Sequence, residues 1–205
     1  MNNTRYMPLQ SSTVVRNLMV AVAIASALVL TINGLRLAGV LPDLTVLRLL
    51  APLGSGFGVL ALTGVLWSVR AGSGRAAAWI AATGLAAVLA TSFLVVVEVV
   101  THYVLARVGD AQRAELLAGP VGGFFAVAGF FFLAGMLSFG AALLAGRAAP
   151  LLPVSLLAIG ALLIGLRVFL PPILAVVGVI VLGIGIALLA VSVARRVEGR
   201  ESVAP

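Results

Sequence analysis

The 205-residue chain has no cysteine, and all 13 of its basic residues are arginine, so lysine is absent as well. Without cysteine there is no disulfide, no thiolate nucleophile and no Cys-ligated metal. Without lysine there is no Schiff base to retinal or pyridoxal phosphate and no P-loop lysine to cradle a phosphate. The single histidine, His102, means that a site with two His ligands would need a second chain. Charge is scarce too. Only 9% of the residues are charged, against about 25% in a soluble domain.

What the chain does have is long apolar runs. Six stretches carry no charged residue at all: 17–35, 49–69, 76–97, 116–146, 148–166 and 168–194. Each reaches or exceeds the roughly 18 residues of a membrane-spanning helix candidate. The expected fold is all-α, a polytopic membrane helical bundle of six transmembrane helices over about 17–37, 47–69, 77–105, 119–146, 151–169 and 172–194. No remaining segment is long enough for a soluble core, so residues 1–205 read as one integral membrane domain. The first span reads as uncleaved, because the small-residue triplet Ala25-Ser26-Ala27 lies inside the apolar run and not after it.

Arginine placement sets an expected orientation. With the N-terminus in the cytoplasm, the inner segments carry Arg5, Arg16, Arg70, Arg75, Arg147, Arg195, Arg196 and Arg200. The outer segments carry only Arg36, Arg48, Arg107, Arg113 and Arg167. The positive-inside rule then places both termini in the cytoplasm and the bundle in the cytoplasmic (inner) membrane. Trp67 and Trp79, flanking the 70–75 turn, sit where aromatic residues mark the headgroup level. The net charge of +7 is accounted for by these flanking arginines. No basic patch interleaved with aromatics is present, so nucleic acid is not an expected partner.

Short connections make neighbours antiparallel at 70–75 and at 147–150, and Pro171-Pro172 closes one span and opens the next. The outer segment 106–118, with Asp110, Arg113 and Glu115, reads as a short interfacial helix. Lipid supplies no hydrophobic drive between helices, so small residues must let them approach. Gly54 with Gly58 provides such a stripe, as do Ala77, Ala81 and Gly84. Gly122, Ala126, Gly129 and Gly140 form another, and Gly178, Gly183 and Gly185 lie in the last span. The same faces are candidates for a membrane-protein partner or a homo-oligomer. The phenylalanines beside them, Phe124, Phe125 and Phe130 to Phe132, are expected to face lipid.

Two ionisable residues stand out. Glu98 and His102 are four residues apart on the third helix and share a face. That face continues back through Thr91, Ala87 and Gly84, the small-residue side that looks into the bundle. An ionisable group inside a membrane protein is a candidate site, and histidine can exchange protons near neutral pH. The charge-free run before Glu98 spans about 33 Å of helix at about 1.5 Å per residue, so Glu98 and His102 fall near the outer boundary. Arg48 and Arg167 reach the same level and complete the candidate polar cluster Glu98, His102, Arg48 and Arg167. A collar of boundary charges pairing with lipid phosphates and with one another accounts for the same residues. An outward-opening vestibule is the functional alternative.

Gly54-Ser55-Gly56-Phe57-Gly58 resembles in outline the Gly-aromatic-Gly filter of potassium channels, without the threonine-rich lead-in or the pore helix. It also resembles the Gly-x-Ser-Gly motif of rhomboid proteases, with Leu53 in place of the first glycine; Ser55 and His102 would then be the candidate dyad. Packing glycines explain the segment more simply. Met19 and Met136 are possible haem ligands by residue type, but Met19 and His102 belong to opposite ends. No cofactor, metal site or catalytic residue is expected. The expected function is a structural, accessory or lipid-interacting membrane component whose one assured partner is the bilayer. The alternative is a small-molecule or proton-linked transporter with an outward-facing Glu98/His102 vestibule.

Overall fold

The structure, a computed structural model, describes residues 9–69 and 74–201, with side chains over 13–69 and 74–199. Arg5, Arg70 and most of the 70–75 turn lie outside the described residues. Among the described residues there are seven α-helices and no strand: α1 (Leu9–Leu37), α2 (Thr45–Val69), α3 (Arg75–Val99), α4 (Asp110–Ala118), α5 (Pro120–Ala145), α6 (Leu151–Gly165) and α7 (Pro172–Glu201). Prolines open α5 and α7, where the missing N–H has no helical partner to lose. The short α4 lies where the interfacial helix was expected and buries no residue.

Among the described residues five helices are long and apolar enough to cross a membrane: Thr13–Leu37, Thr45–Val69, Arg75–Arg107, Pro120–Ala145 and Pro172–Gly199. The segment expected to span over 151–169 is different. Its helix stops at Gly165 after 15 residues, about 22 Å at about 1.5 Å per residue, short of a hydrocarbon core of about 30 Å. Beyond Gly165 the chain tightens into turns closed by Arg167 N–H to Ile164 C=O and Phe169 N–H to Leu166 C=O. Pro171 and Pro172 then begin the next helix.

The helices form a closed ring. α1 packs on α2, α2 on α3, α3 on α5, α5 on α6, α6 on α7 and α7 on α1, while α2 and α7 also touch across the ring. Phe132, Phe139, Met136, Leu143, Leu157, Ile186 and Leu189 fill the core. Small residues make the close approaches. A Cβ on Gly54 would lie 2.9 Å from Leu30 of α1, and one on Gly160 would lie 2.6 Å from the backbone nitrogen of Leu182 on α7. Gly129 and Gly165 bring α5 and α6 together, and Gly183 does the same for α7 and α1. The glycine faces are thus largely filled by the chain's own helices, whereas Gly56 and Gly123 face open space. Ser26 ties α1 to α2 by donating to the Gly54 carbonyl at 2.7 Å.

Phe124, Phe130 and Phe131 are exposed on the outside of α5, as expected. Phe132 is not: it is fully buried, because its place on α5 carries it past the lipid-facing stripe to the core. Met19 and Met136 are also core residues, and Met19 packs against Gly64 and Ser68.

The two ends of the ring differ. At the lower end an Arg16–Glu198 ion pair of 3.1 Å joins the start of α1 to the end of α7. Arg196 of α7 donates there to the Arg147 carbonyl at 2.7 Å. The α5–α6 connection closes with Ala148 N–H to Leu143 C=O and Arg147 N–H to Leu144 C=O, which places Arg147 in the left-handed region at φ 52°. The upper end holds the C-termini of α1, α3 and α6, the N-termini of α2, α5 and α7, and the candidate polar residues.

Two stacked cavities at the charged end

The upper end is built on a change in helix type. α3 is regular to Val99, then forms a π-helical turn over Val100–Val104 and a 3-10 turn over Leu105–Arg107. The Leu105 N–H bonds to the carbonyl of Val100, five residues back. Single π turns of this kind within helices recur at functional sites. This one carries His102 and Tyr103, and the Tyr103 hydroxyl donates to the Leu49 carbonyl of α2 at 2.6 Å.

The polar groups form a chain from the bundle to the surface. Glu98 Oε2 lies 2.9 Å from His102 Nε2, and His102 Nδ1 lies 3.4 Å from Nη2 of Arg36. Arginine can only donate, so Nδ1 faces it as the acceptor and the ring hydrogen sits on Nε2, directed at Glu98. Arg36 is buried at 7% exposure, unusually for an arginine. Its other contacts are two bonds to Asn33 Oδ1, at 3.2 and 2.8 Å, and an ion pair of 2.9 Å to Asp43. Asp43 in turn pairs with Arg48, whose Nε donates to Oδ1 at 2.8 Å and whose Nη2 meets Oδ2. The Arg48 guanidinium, aided by Arg36, holds the Asp43 carboxyl well below the usual carboxylate range.

Two cavities are stacked around this chain. The upper one, about 350 Å³, is polar, and its lining includes Arg36, Asp43, Arg48, His102, Asp110 and Arg113. The lower one, about 440 Å³, lies inside the ring. Its walls include Leu30, Ser55, Leu94, Ile164, Val176 and Leu182, contributed by α1, α2, α3, α6 and α7. Its only charged lining groups are Glu98 and Arg167. Leu37, Val168 and Pro172 also line it and are exposed to the outside, so its mouth lies between the end of α1 and the start of α7. The Glu98–His102 bond joins a lining residue of the lower cavity to one of the upper.

The four expected residues are therefore divided. Glu98 and His102 are bonded to each other, and Arg167 shares the lower cavity with Glu98. Arg48 reaches them only through Asp43 and Arg36. Arg167 has no ion pair or side-chain hydrogen bond among the described residues; its guanidinium lies 5.7 Å from the centre of the Phe125 ring. Asn33 and Asp43 were not anticipated as site residues, and Arg36 was anticipated only as a boundary charge. The spacing of Asn33 and Arg36, three apart on one helix, was the available signal. Ser55 is in the lower cavity, while His102 lines the upper one with both ring nitrogens engaged, so the two are not assembled as a dyad. Among the described residues no group of three His, Asp or Glu side chains is placed to hold a metal ion. No protein-family model, curated protein or solved structure matches the chain.

Proposed function

We propose that this protein is a six-span component of the cytoplasmic membrane, with both termini in the cytoplasm, that works without catalysis by holding a membrane lipid inside its outer half. The observation that carries this reading is the lower cavity. Its volume of about 440 Å³ falls within the roughly 300–1,000 Å³ of small-molecule sites. It is roughly three times an apolar cavity of about 150 Å³ that takes up a benzene ring. Its walls are largely apolar, its only charged lining groups are Glu98 and Arg167, and its mouth is framed by exposed Leu37 and Val168, as suits a ligand arriving from the bilayer. Turns 166–169 carry the polypeptide from the end of α6 to Pro171 and so extend the fifth span beyond its short helix. Both ends of the described chain meet at the end rich in Arg147, Arg195 and Arg196, which supports cytoplasmic termini.

The test is native mass spectrometry of protein released from a membrane in mild detergent, wild type beside Ala175→Trp, which fills the lower cavity from its α7 wall. A lipid retained by the wild type and lost from the variant supports the reading. A chain that retains no lipid, or the same lipids in both forms, overturns it. A second reading, transport past Glu98 and His102, is favoured by the bond that joins the two cavities. It expects Glu98→Gln to stop a flux while the fold persists, and a flux unchanged by Glu98→Gln would exclude it.

A further inference from the structure

The proposed lipid cavity carries one carboxylate and one guanidinium in an otherwise largely apolar wall, and that pair specifies a headgroup. Glu98 and Arg167 both line it, yet they form no ion pair with each other. Glu98 uses Oε2 to accept from His102, and Oε1 has no partner among the described residues. Arg167 makes no side-chain hydrogen bond among the described residues and faces a largely apolar space. Glu98 and Arg167 face the same space without touching, and a ligand group that bonds to each in apolar surroundings gains charge-assisted hydrogen bonds that neither makes in the protein.

A purely anionic headgroup satisfies Arg167 but is repelled by Glu98. An uncharged headgroup leaves the Arg167 guanidinium and the second Glu98 oxygen without a charge-assisted bond. A group that carries an anionic oxygen and an N–H-bearing cation satisfies both at once. The guanidinium fork suits phosphate oxygens, and the free carboxylate oxygen accepts from an ammonium N–H. A quaternary ammonium has no N–H to give and is recognised instead by aromatic faces. No aromatic residue lines this cavity.

Resting on the lipid-binding reading, we infer that the lower cavity selects a phospholipid with a zwitterionic, primary-ammonium headgroup of the phosphoethanolamine kind, its phosphate held by Arg167, its ammonium by Glu98 and its acyl chain along the wall of α7. His102 is the positioning residue, because its Nε2–H fixes the carboxylate of Glu98 while leaving Oε1 toward the ligand.

The experiment titrates the full-length protein in neutral detergent with lysophosphatidylethanolamine, lysophosphatidylcholine and lysophosphatidate of one acyl chain, reading bound lipid by native mass spectrometry. One charge-assisted bond contributes about 1.5–3 kcal/mol, or roughly ten- to a hundredfold in affinity. The ethanolamine lipid should therefore bind at least about tenfold more tightly than either of the other two. Arg167→Gln should weaken both phosphate-bearing zwitterions by a similar factor, and Arg167→Lys should restore much of the loss. Glu98→Gln should remove the difference between ethanolamine and choline. Free phosphoethanolamine, which lacks the chain, should not bind at concentrations that saturate with the lysolipid.

Equal affinity for ethanolamine and choline lipids in the wild type, or an unchanged Arg167→Gln, overturns the inference; the first comparison needs no variant to fold. Free phosphoethanolamine binding as tightly as the lipid also overturns it. If all three lysolipids bind equally and Ala175→Trp excludes them, the cavity holds lipid without reading its headgroup, and only this inference falls. If none binds the wild type, the lipid-binding reading falls with it.

Discussion

Replacing Gly160 by alanine tests whether small residues set the spacing of the α6–α7 seam. A Cβ there would lie 2.6 Å from the backbone nitrogen of Leu182, 2.7 Å from its Cα and 2.8 Å from its Cβ. Ordinary contact begins at 3.4 Å, and two of these three atoms are backbone, so no rotamer change can make room. α7 has to retreat as a unit. The seam is tight along its length, because a Cβ on Gly178 or Gly185 would meet α6 at 2.6 and 2.7 Å. Opening such an interface by about 0.5–1 Å forfeits about a quarter to a half of each affected contact energy. Overpacked cores lose about 1–3 kcal/mol, more than the roughly 1 kcal/mol that alanine gains over glycine in helix propensity. Gly56 is the control on another helix, since its Cβ would meet nothing within 4 Å. Gly56→Ala should stabilise by about 0.5–1 kcal/mol. Reversible unfolding in mixed micelles of increasing dodecyl sulfate content, followed by fluorescence of Trp67 and Trp79, measures both. The two variants should shift stability in opposite directions. A Gly160→Ala protein as stable as wild type would refute the packing argument.

Ser26→Ala removes the buried bond to the Gly54 carbonyl, and the same unfolding assay should register a loss of about 0.6 kcal/mol and no more than about 1.7, as for other interhelical bonds in membranes. Asp43 is held ionised by Arg48 and Arg36, so its contribution is complete above its unfolded pKa of about 3.9 and declines as pH falls through that value toward the lower folded one. The stability difference between wild type and Asp43→Asn should accordingly stay constant from about pH 7 to 5 and narrow below about pH 4; a gap that widens in acid would contradict the Asp43–Arg48 geometry. Arg147→Gly relieves a left-handed residue and should stabilise by up to about 1 kcal/mol, while the Arg196 bond, made to the backbone carbonyl, survives.

The helices were legible in the sequence because exclusion of charge is a local property that each apolar run shows by itself. The same holds for the α3 face: Gly84, Ala87 and Thr91 are buried where their spacing put them, and Glu98 and His102 meet where four residues of helix bring them. α6 shows the limit of that reading. Residues 148–166 are charge-free to the end, but hydropathy does not distinguish a helical Leu166 from one in a turn, and the break lies in backbone bonds that composition does not record. Phe132 shows another, since a run of three phenylalanines cannot put all three on one face of a helix.

The site depended on relations that no segment contains. Asp43 reaches Arg36 only because the 38–44 connection folds back over the end of α1, and His102 meets Arg36 across 66 positions of chain. The π turn beneath His102 has no marker among Val100, Thr101 and Val104, which would serve equally well in an α-helix. The cavity is harder still to foresee, because it exists where side chains from five helices fail to fill the space between them, and that deficit belongs to the ring. Yet its two charges were visible from the start as the third and fifth spans' boundary residues. A boundary charge becomes a candidate ligand contact only when the fold denies it a partner of its own. The ring does that to Arg167 and to one oxygen of Glu98, while Arg36, Arg48 and Asp43 are left to satisfy one another.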